Sequence, residues 1–443
     1  MRVRPRVQLV AGCALLLLAC GKGKGDKGGD KQATEPPPSG TEDKGADKGA
    51  DQGAEAKGAE GAPAAGGEVL IWADDKRAAV LSDFATKFAS TGGFNLKVQA
   101  VSKDLQTNFV TASQAGKGPD IVVGAHDWIG NLVQNGAIEP VQLTDEQKGA
   151  FNPLAIKGVT FNGQIYAVPY AVENLALIRN TELAPDEPKS MEALVAEGKK
   201  LKSSKKASEI LALQVGNNGD AYHIYPLYAS GGGYLFGVGA NGDYDPKDLG
   251  VAKPEAIAAF AKIRKLGEKG DGALKRSIGP ENSISVFTGK KTAFLVSGPW
   301  AITDIKKAGI KYDITAIPGF EGGKPAKPFV GVQAFYVAAK GKNKALAQEF
   351  VSNHLTTPDL AVALYKAEPR PPALTAALEQ VKGEDPDVEK FLKAGESGDI
   401  LPAIPAMAAV WDPFGKAAAA VVGGADPKTT VPAAAKAIAG QIK

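Results

Sequence analysis

The 443-residue sequence predicts an α/β chain built as two lobes. Three observations predict it. Strand and helix patterns alternate from Glu68 to Val123, the alternation returns between Ile210 and Val337, and the chain is longer than the ~250–300 residues one core serves. In order, Glu68–Ala73 reads as a buried strand leading into a helix with Val80, Leu81, Phe84 and Phe88 on one face. Gly92-Gly93 ends that helix, and Leu96, Val98 and Ala100 alternate as the next strand. A helix with Leu105, Phe109 and Val110 breaks at Gly116–Asp120, and Ile121–Val123 is a third strand. Strand–helix–strand repetition at this spacing predicts a largely parallel sheet, whose ligands bind beyond the carboxyl ends of the strands. Ala73–Lys76 and Gly124–Trp128 lie at two such ends. Further on, Ile210–Gln214, Thr292–Val296 and Phe329–Val337 read as strands, and Glu255–Leu266 and Ile284–Phe287 as helices. The last hundred residues read as Ala-rich helices broken by prolines.

Ahead of this body stand two segments of different character. Arg2, Arg4 and Arg6 precede the mostly apolar run Val7–Ala19, which has the length of a signal-peptide core and not of a membrane span. It ends in Leu17-Leu18-Ala19-Cys20-Gly21, which resembles the bacterial lipobox, with residues 1–19 removed and Cys20 lipidated; an ordinary secretory signal with an incidental cysteine is the plainer alternative. Gly21–Gly67 holds 13 Gly, 7 Lys and 9 Asp+Glu but no Val, Ile, Leu, Met, Phe, Trp or Tyr. Nothing there offsets the entropy of ordering the backbone, so residues 20–67 are expected to be a lipidated cysteine and a disordered linker. Gly-rich coil of this length spans on average roughly 35 to 40 Å.

Composition removes several function classes. Setting aside the three leader arginines and the linker's seven lysines and nine acids leaves 42 basic against 40 acidic residues, too balanced for a nucleic-acid binder. Two cysteines and three scattered histidines (His126, His223, His354) argue against a disulfide scaffold or a metal site, and no cofactor is expected. Gly116-Lys117-Gly118 and Gly289–Thr292 lack the spacing of a phosphate loop. No serine sits at a nucleophile elbow. Asp127 and Glu173 could form the carboxylate pair of a glycosidase, but carboxylates also serve sugar sites as hydroxyl acceptors.

From Glu68 to about Ile438 the chain resembles the maltose/maltodextrin-binding proteins, the extracytoplasmic receptors of ATP-driven sugar importers. Five stretches carry the resemblance, in family order: Gly118–Ile121 followed by Ala125-His126-Asp127, Tyr166–Asn174, Gly298–Ala301, Lys327–Val332, and Ile400–Pro405 leading to Trp411. The resemblance implies a two-lobed periplasmic-binding-protein fold of type II-like form, with the ligand cleft between lobes joined by a multi-crossing hinge. One lobe would take residues 68–172 and 330–385, the other 173–329 and 386–443, with crossings near Ala171-Val172 and Gly331-Val332. Closure of the lobes on the ligand would be the functional motion. A monomer partnered by importer permease subunits, touching the membrane only through its lipid, is the implied setting.

Carried over residue by residue, the resemblance implies that Asp75, Lys76, Asp127 and Glu173 bind hydroxyls and that Tyr222, Trp300 and Trp411 stack on sugar faces. Carboxylates and cations grip hydroxyls, and aromatic rings accept apolar C–H faces. His126 is expected to support the Asp127 loop, and Trp72 to be core. Departures are equally specific. A family tryptophan is Gly124 here, two arginines are Trp128 and Gly415, a glutamate ahead of the tyrosine is replaced by Asp220-Ala221-Tyr222, and a Lys/Glu cluster is replaced by Asp104, Gln106 and Thr107. Trp128 is therefore either a substitute platform, with Gly124 leaving room for it, or a core residue beside Ile129 and Leu132. The expected function is capture of maltose, maltodextrin or a related oligosaccharide for import, without catalysis. A receptor for a different oligosaccharide, a lipoprotein glycosidase using Asp127 and Glu173, and a purely structural lipoprotein are the competing readings.

Overall fold

The computed structural model describes residues 66–240 and 242–442. The leader, Cys20 and the linker up to residue 65 lie outside the described residues. Among those described, no helix is long and apolar enough to cross a membrane.

Two sheets organise the body. The first has six strands: Glu68–Ala73 lies between Asn95–Ala100 and Ile121–Ala125, both parallel to it, and Phe329–Val337 then pairs antiparallel to Ile121–Ala125. Ala167–Asn174 and Asp399–Ile400 also pair with Phe329–Val337. The second sheet orders Tyr312–Thr315, Ala176–Asn180, Phe294–Ser297 and Ala212–Leu213. Only its last pair is parallel. The parallel run expected from the repeat is thus limited to the first three strands and two short pairs, Phe329-Val330 with Asp399-Ile400 and Leu295-Val296 with Ala212-Leu213. Phe329–Val337 runs against the first three strands because the chain enters it from the second half of the molecule, and no strand–helix–strand crossover sets its direction.

Local chemistry explains the elements. Asp74 caps the helix Asp75–Phe88, accepting from the Lys76 and Arg77 amides at 3.1 Å each, a device worth about 1 kcal/mol. Ala78, Leu81, Ala85 and Phe88 form its buried face. Asn95–Ala100 is an edge strand that keeps no residue fully buried, so Leu96 and Val98 are only half-covered. Ala167–Asn174 and Phe329–Val337 are buried at every position, which is why both lack polar/apolar alternation.

The cores follow the sheets. Ile71, Val123, Phe109, Phe335 and Phe350 belong to one cluster and Leu177, Tyr228, Phe260, Phe294 and Phe414 to another. Trp72 sits at the margin of the first, half-buried, its indole N–H donating to Gln99 Oε1 at 3.1 Å. Two long strands tie the sheets together. Ala167–Asn174 pairs along Phe329–Val337, and one residue later the chain becomes the Ala176–Asn180 strand of the second sheet. The register shifts between Gln333 and Ala334, opposite Ala171 and Pro169. A bulge accommodates Pro169, which has no N–H to give a ladder. The junction carries Glu173, facing Gly331, where an added Cβ would come within 3.1 Å of Glu173 Cγ.

Candidate binding cleft

Two strand ends present tryptophans in the same way. After Ile121–Ala125 the chain makes a 3₁₀ turn at His126–Trp128, and after Phe294–Ser297 another at Pro299–Ala301. In each case the indole lies over a glycine of the strand end. A Cβ on Gly124 would fall 2.1 Å from Trp128 Cζ3, and a Cβ on Gly298 would fall 2.1 Å from Trp300 Cζ3. Both indoles are half-buried, and Trp128 packs against the first-lobe core. The space at Gly124 is therefore occupied by Trp128.

His126 is fully buried between segments distant in sequence. The Val332 amide donates to Nδ1 at 3.0 Å, so Nε2 carries the proton and donates to the Leu401 carbonyl at 2.9 Å. Burial lowers its pKa to about 4, and the Val332 amide, a donor, needs Nδ1 unprotonated; of the two backbone bonds only that to the Leu401 carbonyl works towards the cation. His126 is thus a neutral strut behind the Asp127 loop. Asp127 meets the opposite treatment. Its carboxyl accepts from its own backbone N–H, while burial and the nearby Glu173 charge push its pKa up to about 7.

Glu173 is satisfied on both oxygens. Gln333 Nε2 donates to Oε1 at 2.8 Å and Arg370 Nε donates to Oε2. Burial works against its charge, but the Arg370 cation, these hydrogen bonds and Arg77 outweigh it and hold the carboxyl below its usual range. Arg370 also pairs with Glu368, which receives Lys76 at 3.0 Å. On the other side, Arg77 donates to Gln333 Oε1 at 3.0 Å and reaches Tyr170 and Asp74. The result is a continuous chain of polar contacts from Lys76 to Asp74 through Glu368, Arg370, Glu173, Gln333 and Arg77.

Aromatic rings gather against the core cluster that contains Phe329. Tyr222 lies 6.5 Å from Trp300 and 6.2 Å from Phe329, and Trp411 lies 6.4 Å from Phe329, centroid to centroid. Phe329 is itself held by a 3.7 Å stack on Tyr225. Tyr222 belongs to the helix Ala221–Ser230, capped by Asp220, which accepts from the His223 amide at 2.8 Å. Among the described residues, its hydroxyl is buried without a partner. Burial, with Glu173 nearby, raises the phenol pKa well above its usual value, so the hydroxyl stays a neutral donor and acceptor. Gly415 packs where Gly219, at φ +83°, brings its backbone close: a Cβ on Gly219 would fall 1.7 Å from the Gly415 carbonyl oxygen. A long side chain at 415 would meet this loop.

The structure therefore brings Tyr222, Trp300 and Trp411 together around Phe329 and sets Glu173 beside them, with Asp127 within electrostatic reach of Tyr222 and Glu173. Asp75 and Lys76 stand apart. Both are exposed on the first turn of their helix, Asp75 accepting from Ser102 Oγ at 2.8 Å and Lys76 paired to Glu368, while Arg77 is the residue that turns inward. Sequence reasoning missed Arg77, Phe329, Gln333 and Arg370. A signal existed for the arginines, since the body holds only five against 37 lysines, and Arg370 stands in the run Glu368-Pro369-Arg370-Pro371-Pro372.

These features define the class: two α/β lobes with aromatic rings and carboxyls set where strands cross between them. The chain belongs to the bacterial extracellular solute-binding protein family, whose match covers residues 83–390. It is 28% identical to the galactooligosaccharide-binding protein of Bacillus subtilis over 85% of this chain and 90% of that one. It is 30% identical to the maltotriose-binding protein of Pyrococcus abyssi over 70% of this chain and 66% of that one. It is 28% identical to a maltooligosaccharide ABC transporter solute-binding lipoprotein of Streptococcus pneumoniae over 78% of this chain and 82% of that one. The resemblance found in the sequence motifs and the family assignment agree.

Proposed function

We propose that this chain is an exported, Cys20-anchored monomeric receptor that captures an oligosaccharide, of maltodextrin type or a close relative, and hands it to an ABC importer without chemical change. The observation that carries this reading is the aromatic cluster Tyr222–Trp300–Phe329–Trp411, with an unpartnered buried hydroxyl on Tyr222 and the carboxyl of Asp127 nearby. Rings supply faces for sugar C–H groups, and unsatisfied polar groups gain partners only when a ligand brings hydroxyls. On this reading Asp127, Tyr222, Trp300 and Trp411 contact the sugar, Trp128 offers a further platform beside Asp127, Glu173 acts from within its polar chain, and Asp75 and Lys76 serve the cleft rim. Lobes 68–172 with 330–385, and 173–329 with 386–443, would close about the crossings near Val172 and Val332. Glycosidase chemistry would require Asp127 and Glu173 as its pair, but both Glu173 oxygens are engaged by Gln333 and Arg370.

Calorimetric titration against maltose, maltotriose, a galactotriose and trehalose tests this directly. Binding of maltotriose, with the sugar recovered intact and a smaller radius of gyration in scattering, is expected. A galactotriose that binds while maltotriose does not would favour the second reading, a receptor for a different oligosaccharide, to which the Bacillus subtilis relative lends weight. Failure of all four, or recovery of cleaved sugar, would sink the proposal.

A further inference from the structure

We infer that Arg370 is a positioning residue for the Trp300 platform, holding that indole from the opposite lobe while its charge is neutralised behind it. This rests on the receptor reading only where it concerns sugar affinity; the positioning itself is a property of the free protein. The backbone around Arg370 is pinned to the first sheet. The Val172 amide donates to the Pro371 carbonyl at 2.8 Å, the Ala373 amide donates to the Tyr170 carbonyl at 2.9 Å, and Ala171 bridges Pro372. Three flanking prolines restrict the segment further. Trp300, in contrast, follows a strand of the second sheet.

The guanidinium joins the two. Its side chain is only 12% exposed, Glu173 and Glu368 take its N–H groups, and its Cζ lies 5.5 Å from the centroid of the Trp300 ring. A guanidinium held by two carboxylates has a fixed plane, and a desolvated cation over an indole face is attracted to it. Trp300 is therefore restrained from three directions: Gly298 beneath the ring, Tyr222 and His223 at 6.5 and 6.3 Å, and Arg370. Only the last comes from the other lobe. Lysine keeps a charge for Glu173 but supplies no planar fork, so Arg370→Lys separates the ion pair from the positioning.

The test is a cycle of Arg370→Lys and Trp300→Phe, read by maltotriose titration, urea unfolding and acrylamide quenching of tryptophan emission in the ligand-free protein. Arg370→Lys is expected to raise the maltotriose Kd roughly fivefold to tenfold, because a flexible ammonium no longer holds the indole from a fixed plane. It should also make one tryptophan more quenchable. Both effects should vanish in the Trp300→Phe background, where no indole remains to be positioned. A Kd equal to wild type, or a loss undiminished in that background, would overturn the inference. If wild type binds neither maltotriose nor galactotriose, the receptor reading fails while quenching still decides: an unchanged quenching profile in Arg370→Lys overturns the positioning role, and a Trp300-dependent change upholds it.

Discussion

Glu173 and Asp127 are two carboxyls of one candidate site, within electrostatic reach of each other, and their surroundings treat charge in opposite ways. Glu173, at the strand junction, sits among Gln333, Arg370 and Arg77 and is held below its usual pKa; Asp127, half-buried at a strand end, accepts from its own amide and is pushed up to about 7. Burial works against the charge of both. What differs is whether the protein completes the carboxylate's hydrogen bonds. A group completed from within stabilises the folded state, whereas one left incomplete costs stability until something outside the chain completes it. On the proposed receptor reading, the junction serves architecture and the strand end recognition.

The largest effect should come from breaking the completed side. Arg370→Ala leaves the buried Glu173 without the cation that pairs with it, while half-buried Glu368 keeps Lys76, and a buried charge stripped of its partner typically costs about 3 to 5 kcal/mol. A clear fall in the urea midpoint is expected, partly recovered by the further change Glu173→Gln. If Arg370→Ala unfolds at the wild-type midpoint, the junction is not the structural element described.

Next comes the incomplete side, where the sign reverses. The folded Asp127 pKa of about 7 lies above its ordinary value of 3.8, so the native state holds a proton that the unfolded chain has lost, and stability falls as pH rises from about 4 to 7. His126 does the reverse: its folded value of about 4 lies below 6.5, so the unfolded chain holds the extra proton and stability falls as pH drops from 6.5 to 4. The two slopes oppose each other over that window in the wild type. Asp127→Asn removes one of them. The variant should be more stable than wild type at pH 8, by up to ~4 kcal/mol and by less where water still reaches the residue. It should also show a bare loss on acidification from pH 6.5 to 4, read by urea melts at pH 4.5, 6.5 and 8. Glu173, with its lowered value, adds acid sensitivity as pH falls below about 4.5. An Asp127→Asn protein less stable than wild type at pH 8 would mean the carboxylate is completed by a partner after all.

How legible this was depends on the range of the signal. The first three strands and the capped helix follow from short apolar runs between Gly clusters, because strand and helix periods are local. Motif order places Trp300 and Trp411 among the candidate site residues. It does not reach Arg370, whose contacts with Glu173 and Trp300 lie 197 and 70 positions away, where no local pattern records the meeting. The polarity of Phe329–Val337 was hidden for the same reason: direction in a sheet is set by where the chain comes from. Asp75 shows the converse. Its motif was visible, but the structure turns Arg77 inward and leaves Asp75 and Lys76 on the outer turn.

Smaller effects probe the incomplete strand end. Gly124→Ala forces the Trp128 ring to move, and overpacking of this kind costs about 1 to 3 kcal/mol. Trp128→Ala then separates its two roles. A platform should cost sugar affinity roughly fivefold to tenfold with little loss of stability, and a core ring about 3 to 5 kcal/mol of stability with affinity retained. Half-burial over Gly124 and against the first-lobe core places both within reach, so the two measurements must be made on the same preparation.

The smallest expected effect is at Lys76, and it bears on the comparison from outside. Its side chain is 64% exposed, and its bond to Glu368 is the outermost link of the polar chain. Exposed pairs are worth roughly 0 to 1 kcal/mol, so Lys76→Ala should shift the urea midpoint barely at all. Glu368 keeps Arg370 as its partner, and the junction should therefore remain intact. What the variant does to maltotriose affinity carries the information. If Lys76 swings from Glu368 to a sugar hydroxyl on closure, affinity falls while stability does not. If it stays with Glu368, neither changes, and the rim contributes nothing to recognition. A large stability loss in Lys76→Ala would show that the polar chain depends on its exposed end, and the division between a completed junction and an incomplete strand end would have to be redrawn.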